Sequence, residues 1–371
     1  MIKMKKVLYL GAFELPDKNA AAQRVISNGK LLREMGFEVT YVGISKDIIN
    51  APAEVEGFVS HSIPYPSRAM LWLRQITTYL SSKEILAYRP DYVVLYNFPA
   101  IASLKILRTC HKHGIKVIHD LTEWEQTEGY SPRDFIKRLD TALRMRYCVK
   151  RMDGVIAISR FLYNIYNDEV KTILTPPTVD LSHKKWNRGR NISSNSPVTL
   201  VYAGSPGSGV KDRLDLVINA VKDRMNLRLR IIGLTEKQYE ESFHKPHTHF
   251  KNIEFKGRLP HQEAIREVCN ADFQMLIRDR NRKNEAGFPT KLVESMVCGT
   301  PVIATNFSNI IDYVHDGDNG FIIDNNQTID VVLDKVARMN SDYIVRMKKK
   351  CIDIKVFDYH NYKSEFEKLF D

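Results

Sequence analysis

Residues 288–303 read FPTKLVESMVCGTPVI, and the order of residue types in this stretch decides the fold. Pro289 suits the first position of a helix, because the N–H that it lacks is one the first turn would leave unpaired in any case. Gly299 ends that helix, since it adopts a left-handed backbone without steric cost, and Pro301, Val302 and Ile303 open a buried strand. The apolar run at 273–277 is another strand, so the helix start is expected beyond the carboxyl end of a sheet. Backbone N–H groups of Phe288, Thr290 and Lys291, on either side of Pro289, make such a place an anion site, and phosphate suits it best. One turn further in, Glu294 stands among Leu292, Val293, Met296 and Val297. Taken alone it reads as an exposed acid in an early turn. Beside a phosphate site it reads instead as an acceptor for the two vicinal hydroxyls of a ribose, and a nucleoside diphosphate fits the pair.

The run GFPTKLVESMVCGTPVIAT at 287–305, followed by DYVHDGDNGFII at 312–323, resembles the donor-binding segment of the retaining glycosyltransferases of family four. The resemblance implies an α/β chain of GT-B fold, two Rossmann-like doubly wound parallel-sheet domains facing a cleft. That family's pattern has a first Glu, seven residues, a second Glu, small residues, a Gly, a variable residue and Pro-Val. Glu294, Gly299, Pro301 and Val302 match it. At the position of the first Glu, which contacts the transferred sugar, this chain has Ala286, with Glu285 one residue early. Glu285, Ala286, Gly287, Phe288, Pro289, Thr290, Lys291 and Glu294 are therefore the expected donor-binding residues of this segment.

Composition agrees with two soluble domains. The 371 residues exceed what one ordinary core supports, and with 43% hydrophobic and 27% charged residues there is material for substantial cores. Apolar runs stay well short of the roughly 18 residues of a membrane span. The five cysteines (Cys110, Cys148, Cys269, Cys298 and Cys351) are scattered and never in CxxC spacing, which points to reduced thiols in cytoplasm and away from zinc. A net charge of +11 suits a phosphorylated substrate, an anionic lipid or nucleic acid. Zinc-finger spacing, an aromatic RNP motif and a helix-turn-helix pattern are all missing from the sequence, so nucleic acid is not an expected partner.

Upstream of the opening stretch, strand signals at 7–11, 38–43, 91–96 and 116–120 alternate with helical ones at 20–35 and 100–113, the opening of a doubly wound sheet. Ala20 and Ala21 stand near the first helix start, where the resembling family often carries a Gly pair; they are acceptor-side candidates or simply good helix formers. Leu71, Trp72, Gln75, Ile76 and Tyr79 recur at helical spacing beside Arg68, Arg74 and Lys83. That face either packs into a core or lies on an anionic membrane. His119, Asp120 and Glu123 close a strand in HDLTE, at the edge where such sheets bind ligands. By resemblance His119 is the catalytic or donor-contacting histidine, and Asp120 and Glu123 belong to the acceptor side. His119 and Asp120 must point to opposite faces if the strand persists.

A polar run at 181–197 reads as a linker, and the pattern restarts with strands at 198–203, 229–233 and 253–257. The loop GSPGSGVK, with Gly204, Ser205, Gly207 and Lys211, suits phosphate, as does Gly233. By resemblance Lys211 meets the donor diphosphate. Ser205 replaces the family's Arg, and Arg278, directly after the strand at 273–277, is the expected substitute. Asp316 and Asp318 form an Asp-x-Asp that reads as a turn, so no metal site is expected. Tyr362, Phe366, Leu369 and Phe370 share one side of a last helix.

The expected organisation is an acceptor-side domain at 1–182, a donor-binding domain at 183–355 and a helix at 356–371 that crosses back to the first. By resemblance the chain transfers a sugar, with retention, from a nucleotide-sugar co-substrate to a glycan or polyprenyl-linked acceptor in bacterial-type surface polysaccharide synthesis. His119, Lys211 and Arg278 would carry the chemistry, with neither metal nor further cofactor. The location would be cytoplasmic, at the inner face of the plasma membrane if the aromatic face lies on lipid. A GT-B epimerase and a non-catalytic donor-binding subunit are the alternatives.

Overall fold

The computed structural model describes residues 4–16, 19–47, 51–127, 129–186, 192–204, 211–244, 249–324 and 328–370. Its contacts divide the chain into two units. One comprises Met1–Val179 with Glu285–Phe288 and Asp358–Asp371, the other Asp180–Asn284 with Pro289–Phe357.

The first unit is built on β1 (Lys6–Gly11), β2 (Glu38–Ser45), β3 (Ala53–Val55), β4 (Phe58–Pro64), β5 (Tyr92–Tyr96), β6 (Lys116–Leu121), β7 (Gly154–Ala157) and β8 (Thr172–Leu174). They form one sheet in the order β3-β4-β2-β1-β5-β6-β7-β8. All neighbours are parallel except β3 against β4. Central strands are apolar on both sides because helices cover both faces. Tyr9, Val94, Ile118 and Ile156 pack with Phe366 and Leu369 on one face, while Leu8, Leu95 and Val117 pack with Ile106 and Cys110 on the other. The helix Lys363–Leu369 thus belongs to the first unit, where the Phe370 ring lies edge-on to Phe37 at 5.8 Å and tilted against Tyr92 at 5.2 Å. Strand order reverses between β1 and β5, and in such sheets the ends of those two strands open a crevice.

The second unit holds β9 (Val198–Ala203), β10 (Leu227–Ile232), β11 (Ile253–Gly257), β12 (Phe273–Leu276), β13 (Val302–Thr305) and β14 (Gly320–Ile323). They run parallel in the order β11-β10-β9-β12-β13-β14, with the reversal between β9 and β12. Between β12 and β13 lies the helix Thr290–Cys298, which Gly299 ends at φ +79°. Pro289 is its cap, one residue outside the expected start.

Residues 181–197, read as a polar linker, are partly anchored in the second unit. Trp186 is buried and donates its indole N–H to the Asp180 carbonyl at 2.9 Å, and Asn195 donates to Asp272. An indole in an otherwise polar run outweighs its neighbours. The Asp-x-Asp is a turn: Gly317 has φ +75° and donates to the Gly320 carbonyl at 2.8 Å, while Asp316 accepts from the Ile322 N–H at 3.0 Å.

Candidate functional site

At the reversal point of the second sheet one carboxylate gathers two cations. Asp212 accepts from Arg278 Nε through Oδ1 and from Lys291 Nζ through Oδ2. Tyr202, on β9, donates its hydroxyl to the same Oδ2 at 2.8 Å and accepts from Lys291 at 3.2 Å. Burial would raise the Asp212 carboxyl's pKa, but Lys291 and Arg278 hold it well below the usual carboxylate range. Lys291 is pulled down by burial against the attraction of Asp212. Two cations on one carboxylate leave a surplus of one positive charge.

Local sequence explains the geometry. Arg278 follows β12, and its N–H donates to Thr305 Oγ1 at 2.8 Å while that hydroxyl donates back to the Arg278 carbonyl at 2.7 Å, tying the ends of β12 and β13. Its guanidinium lies 5.2 Å over the ring of Phe307. Lys291, in the first turn of Thr290–Cys298, crosses above Gly204. The backbone there has φ +135°, which favours glycine, and a Cβ would meet Lys291 Cε at 2.3 Å and displace the end of that side chain. Among the described residues no side chain caps the helix start at Pro289. The first-turn N–H groups therefore add to the positive end of the helix. One turn in, Glu294 is half-buried and its Oε1 lies 3.2 Å from His261 Nε2.

The expected donor residues distribute as follows. Gly204, Lys291 and Arg278 meet at the Asp212 cluster, and Thr290 and Glu294 share the helix of Lys291. Lys211, half-buried, directly precedes Asp212, and Gly233 ends β10 at φ +109°. Ser205 and Gly207 lie outside the described residues. Glu285, Ala286, Gly287 and Phe288 cluster with the first unit, where the Ala286 carbonyl accepts from Ser159 Oγ at 2.8 Å. Arg278, the expected substitute for the family's Arg, donates through Nε to Asp212 and is 8% exposed. Asp212, Tyr202 and His261 escaped the sequence reading, because Asp212 meets its cations 66 and 79 residues further along the chain.

In the first unit the ends of β1 and β5 border a cavity of about 490 Å³. Ala20 and Ala21 line it from the start of the helix Ala20–Glu34, and Glu123 lines it from beyond β6. Tyr65, Trp72, Tyr79 and Tyr96 supply aromatic walls; Arg133, Lys137 and Arg144 supply cations. Of the two readings of that face, Trp72, Gln75, Ile76 and Tyr79 take the inward one, on the cavity wall, while Leu71 is 45% exposed.

His119 and Asp120 do point to opposite faces, and both are fully buried. Asp120 does not serve the acceptor side: Arg24, Tyr9 and Asn28 saturate its oxygens, and Arg24 continues to the carbonyls of Thr175 and Pro176 at 2.9 and 3.1 Å. It is a structural ion pair joining a helix, β6 and the exit from β8. His119 does not line the cavity, and burial together with nearby Arg144 pushes its pKa down to about 3, so the ring is neutral. In this position the ring is no proton carrier near neutral pH, which leaves contact with the donor as the other role that the resemblance implies.

Residues 195–354 match the family model of the glycosyl transferases group 1. An uncharacterized glycosyltransferase of Methanocaldococcus jannaschii, MJ1178, is 25% identical over 191 residues, which span 50% of this chain and 49% of that protein. The match thus reaches about half the length of the curated relative. Among solved structures, sucrose-phosphate synthase from Thermosynechococcus elongatus superposes with a TM-score of 0.73 at 13% identity over 99% of this chain and 98% of that one. Anabaena Alr3699/HepE in complex with UDP and glucose superposes with a TM-score of 0.67 at 14% identity over 98% of both chains. With its two parallel sheets the chain therefore has the GT-B fold, and residues 195–354, most of them in its second unit, are the part that resembles the group 1 model.

Proposed function

We propose that this chain is a retaining glycosyltransferase of group 1, within family four, that moves a sugar from a nucleotide-sugar donor to a glycan or lipid-linked acceptor at the membrane, in surface polysaccharide synthesis. The observation that carries the donor half is the Asp212 cluster: two cations, buried Arg278 and half-buried Lys291, sharing one carboxylate beside a helix start without a side-chain cap. The complex of Alr3699/HepE with UDP and glucose supports it. The aromatic cavity of the first unit suits the acceptor, since faces of sugar rings pack on aromatic walls.

In the transfer, the bond between the anomeric carbon and the diphosphate oxygen breaks, and the acceptor hydroxyl oxygen forms the new one. Negative charge grows on the leaving diphosphate, where Lys291, Lys211 and the N–H groups of Thr290 and Lys291 meet it. Arg278 acts through Asp212, which holds Lys291 over Gly204. Glu294 accepts from the ribose hydroxyls. The acceptor proton passes to the departing phosphate oxygen, so the step needs neither a metal nor a protein base. Incubation with a mixture of UDP-, ADP-, GDP- and TDP-sugars and a polyprenyl-phosphate-linked glycan, read by mass spectrometry, should give one product heavier by a single sugar, unaffected by EDTA. A second reading, a non-catalytic donor-binding subunit, draws on Ala286, a buried methyl where the resembling family has its first Glu. It predicts nucleotide binding with no product and no hydrolysis.

A further inference from the structure

The helix Pro132–Leu143, with the turn Arg144–Cys148 that continues it, leaves an apolar stripe uncovered. Phe135, Leu139, Leu143 and Tyr147 recur every fourth residue and are 55%, 55%, 37% and 43% exposed, so they line one side of the helix. Its inner side is engaged: Asp140 accepts from the Ala100 N–H at 2.8 Å, and Arg144 donates to the Asn97 carbonyl at 3.0 Å. Arg133, 5.0 Å over the ring of Trp72, joins this helix to Ala69–Thr77. There Trp72 and Ile76 line the cavity while Met70, 82% exposed, and Leu73, 47% exposed, do not. Single exposed apolar residues are ordinary; a stripe of four with two more on an adjoining helix marks an interaction surface.

Charge identifies what covers it. Residues 131–151 hold seven Lys and Arg against two Asp; Arg133, Lys137 and Arg144 line the cavity and Lys150 pairs with Glu169, which leaves Arg138, Arg146 and Arg151 exposed, while Asp134 is engaged in the cap at Ser131 and Asp140 on Ala100. Residues 57–83 hold Arg68, Arg74 and Lys83 and no acid at all. We infer that these two helices dock the first unit on an anionic phospholipid bilayer, the stripe reaching into the acyl boundary and the arginines lying at the phosphates. This rests on the membrane part of the proposed function, and assigns it to a different surface from the cavity-lining face of Trp72.

Co-sedimentation of the full chain with vesicles tests it. The protein should pellet with equimolar phosphatidylglycerol and phosphatidylcholine, and remain in solution with phosphatidylcholine alone. Two double variants, Phe135→Ser with Leu139→Ser and Arg74→Glu with Arg146→Glu, should each lose vesicle affinity; each cation near the surface contributes about fivefold, so the charge variant should lose at least roughly 25-fold. Melting temperature and nucleoside diphosphate binding should be unchanged in both, since none of the four residues is in the donor cluster or the cavity wall. Vesicle binding that survives both variants, or wild type that never pellets, overturns the proposal. So does a dimer in sedimentation velocity that Phe135→Ser with Leu139→Ser dissolves, because it assigns the stripe to a second copy. Vesicle binding without nucleotide binding would leave the docking surface standing while the donor reading falls.

Discussion

Asp212 sets the charge at the reversal point of the second sheet, and its removal separates two roles of that cluster. Asp212→Asn leaves Lys291 and Arg278 without their counter-ion, and breaking one side of a buried pair costs about 3–5 kcal/mol. A nucleoside diphosphate would restore the missing negative charge, so its saturating thermal shift should be larger in the variant than in wild type; a smaller shift would mean that these cations do not meet the ligand. His119 makes a different prediction. Its folded pKa, about 3, lies below the unfolded value, so its neutral burial costs nothing above pH 6.5 and destabilises the fold as pH falls from there toward 3. Denaturant titrations should show wild-type stability falling more steeply than that of His119→Gln across this window, by about 1.4 kcal/mol per pH unit. Equal slopes would mean that the imidazole takes up its proton in the folded state. The sequence placed His119 correctly at a strand end but could not say which face is solvated; that depends on Phe98 and Arg144, which come from other elements.

The helix Thr290–Cys298 works through its two ends. Gly299, at φ +79°, lets the chain turn into β13; a Cβ would lie 2.9 Å from two carbons of Ile352. Gly299→Ala should cost about 1–3 kcal/mol of stability and leave nucleotide affinity unchanged. At the other end Gly204 leaves room for Lys291, and Gly204→Ala should weaken nucleoside diphosphate binding as much as removing the lysine does. Calorimetry on both variants decides, and affinity retained in a folded Gly204→Ala chain would mean that Lys291 need not cross there. This helix was legible because proline, glycine and a following apolar strand are local signals. The exposed stripe of Pro132–Leu143 was not, since a period of four looks the same whether it meets a core or faces outward.

At the scale of the whole molecule, alternation of strands with helical segments predicted two doubly wound sheets, and both reverse order at one point, β1 with β5 and β9 with β12. Parallel sheets write themselves into sequence as short apolar runs at regular spacing. Which charges meet across the end of a sheet is a product of tertiary structure, so Lys291 and Arg278 were recognised and the Asp212 that joins them was not. Among the described residues no helix is long and apolar enough to cross a membrane. Whether the second unit holds a nucleoside diphosphate between Lys291 and Glu294 is decided by calorimetric titration of the full chain with UDP, ADP, GDP, CDP and TDP, repeated on Lys291→Ala and Glu294→Ala. At least one diphosphate should bind wild type, and each variant should bind it roughly 10- to 150-fold more weakly, the range for a lost hydrogen bond to a charged group. Wild type that binds none of the five, or folded variants with undiminished affinity, would mean that no diphosphate sits between these two residues.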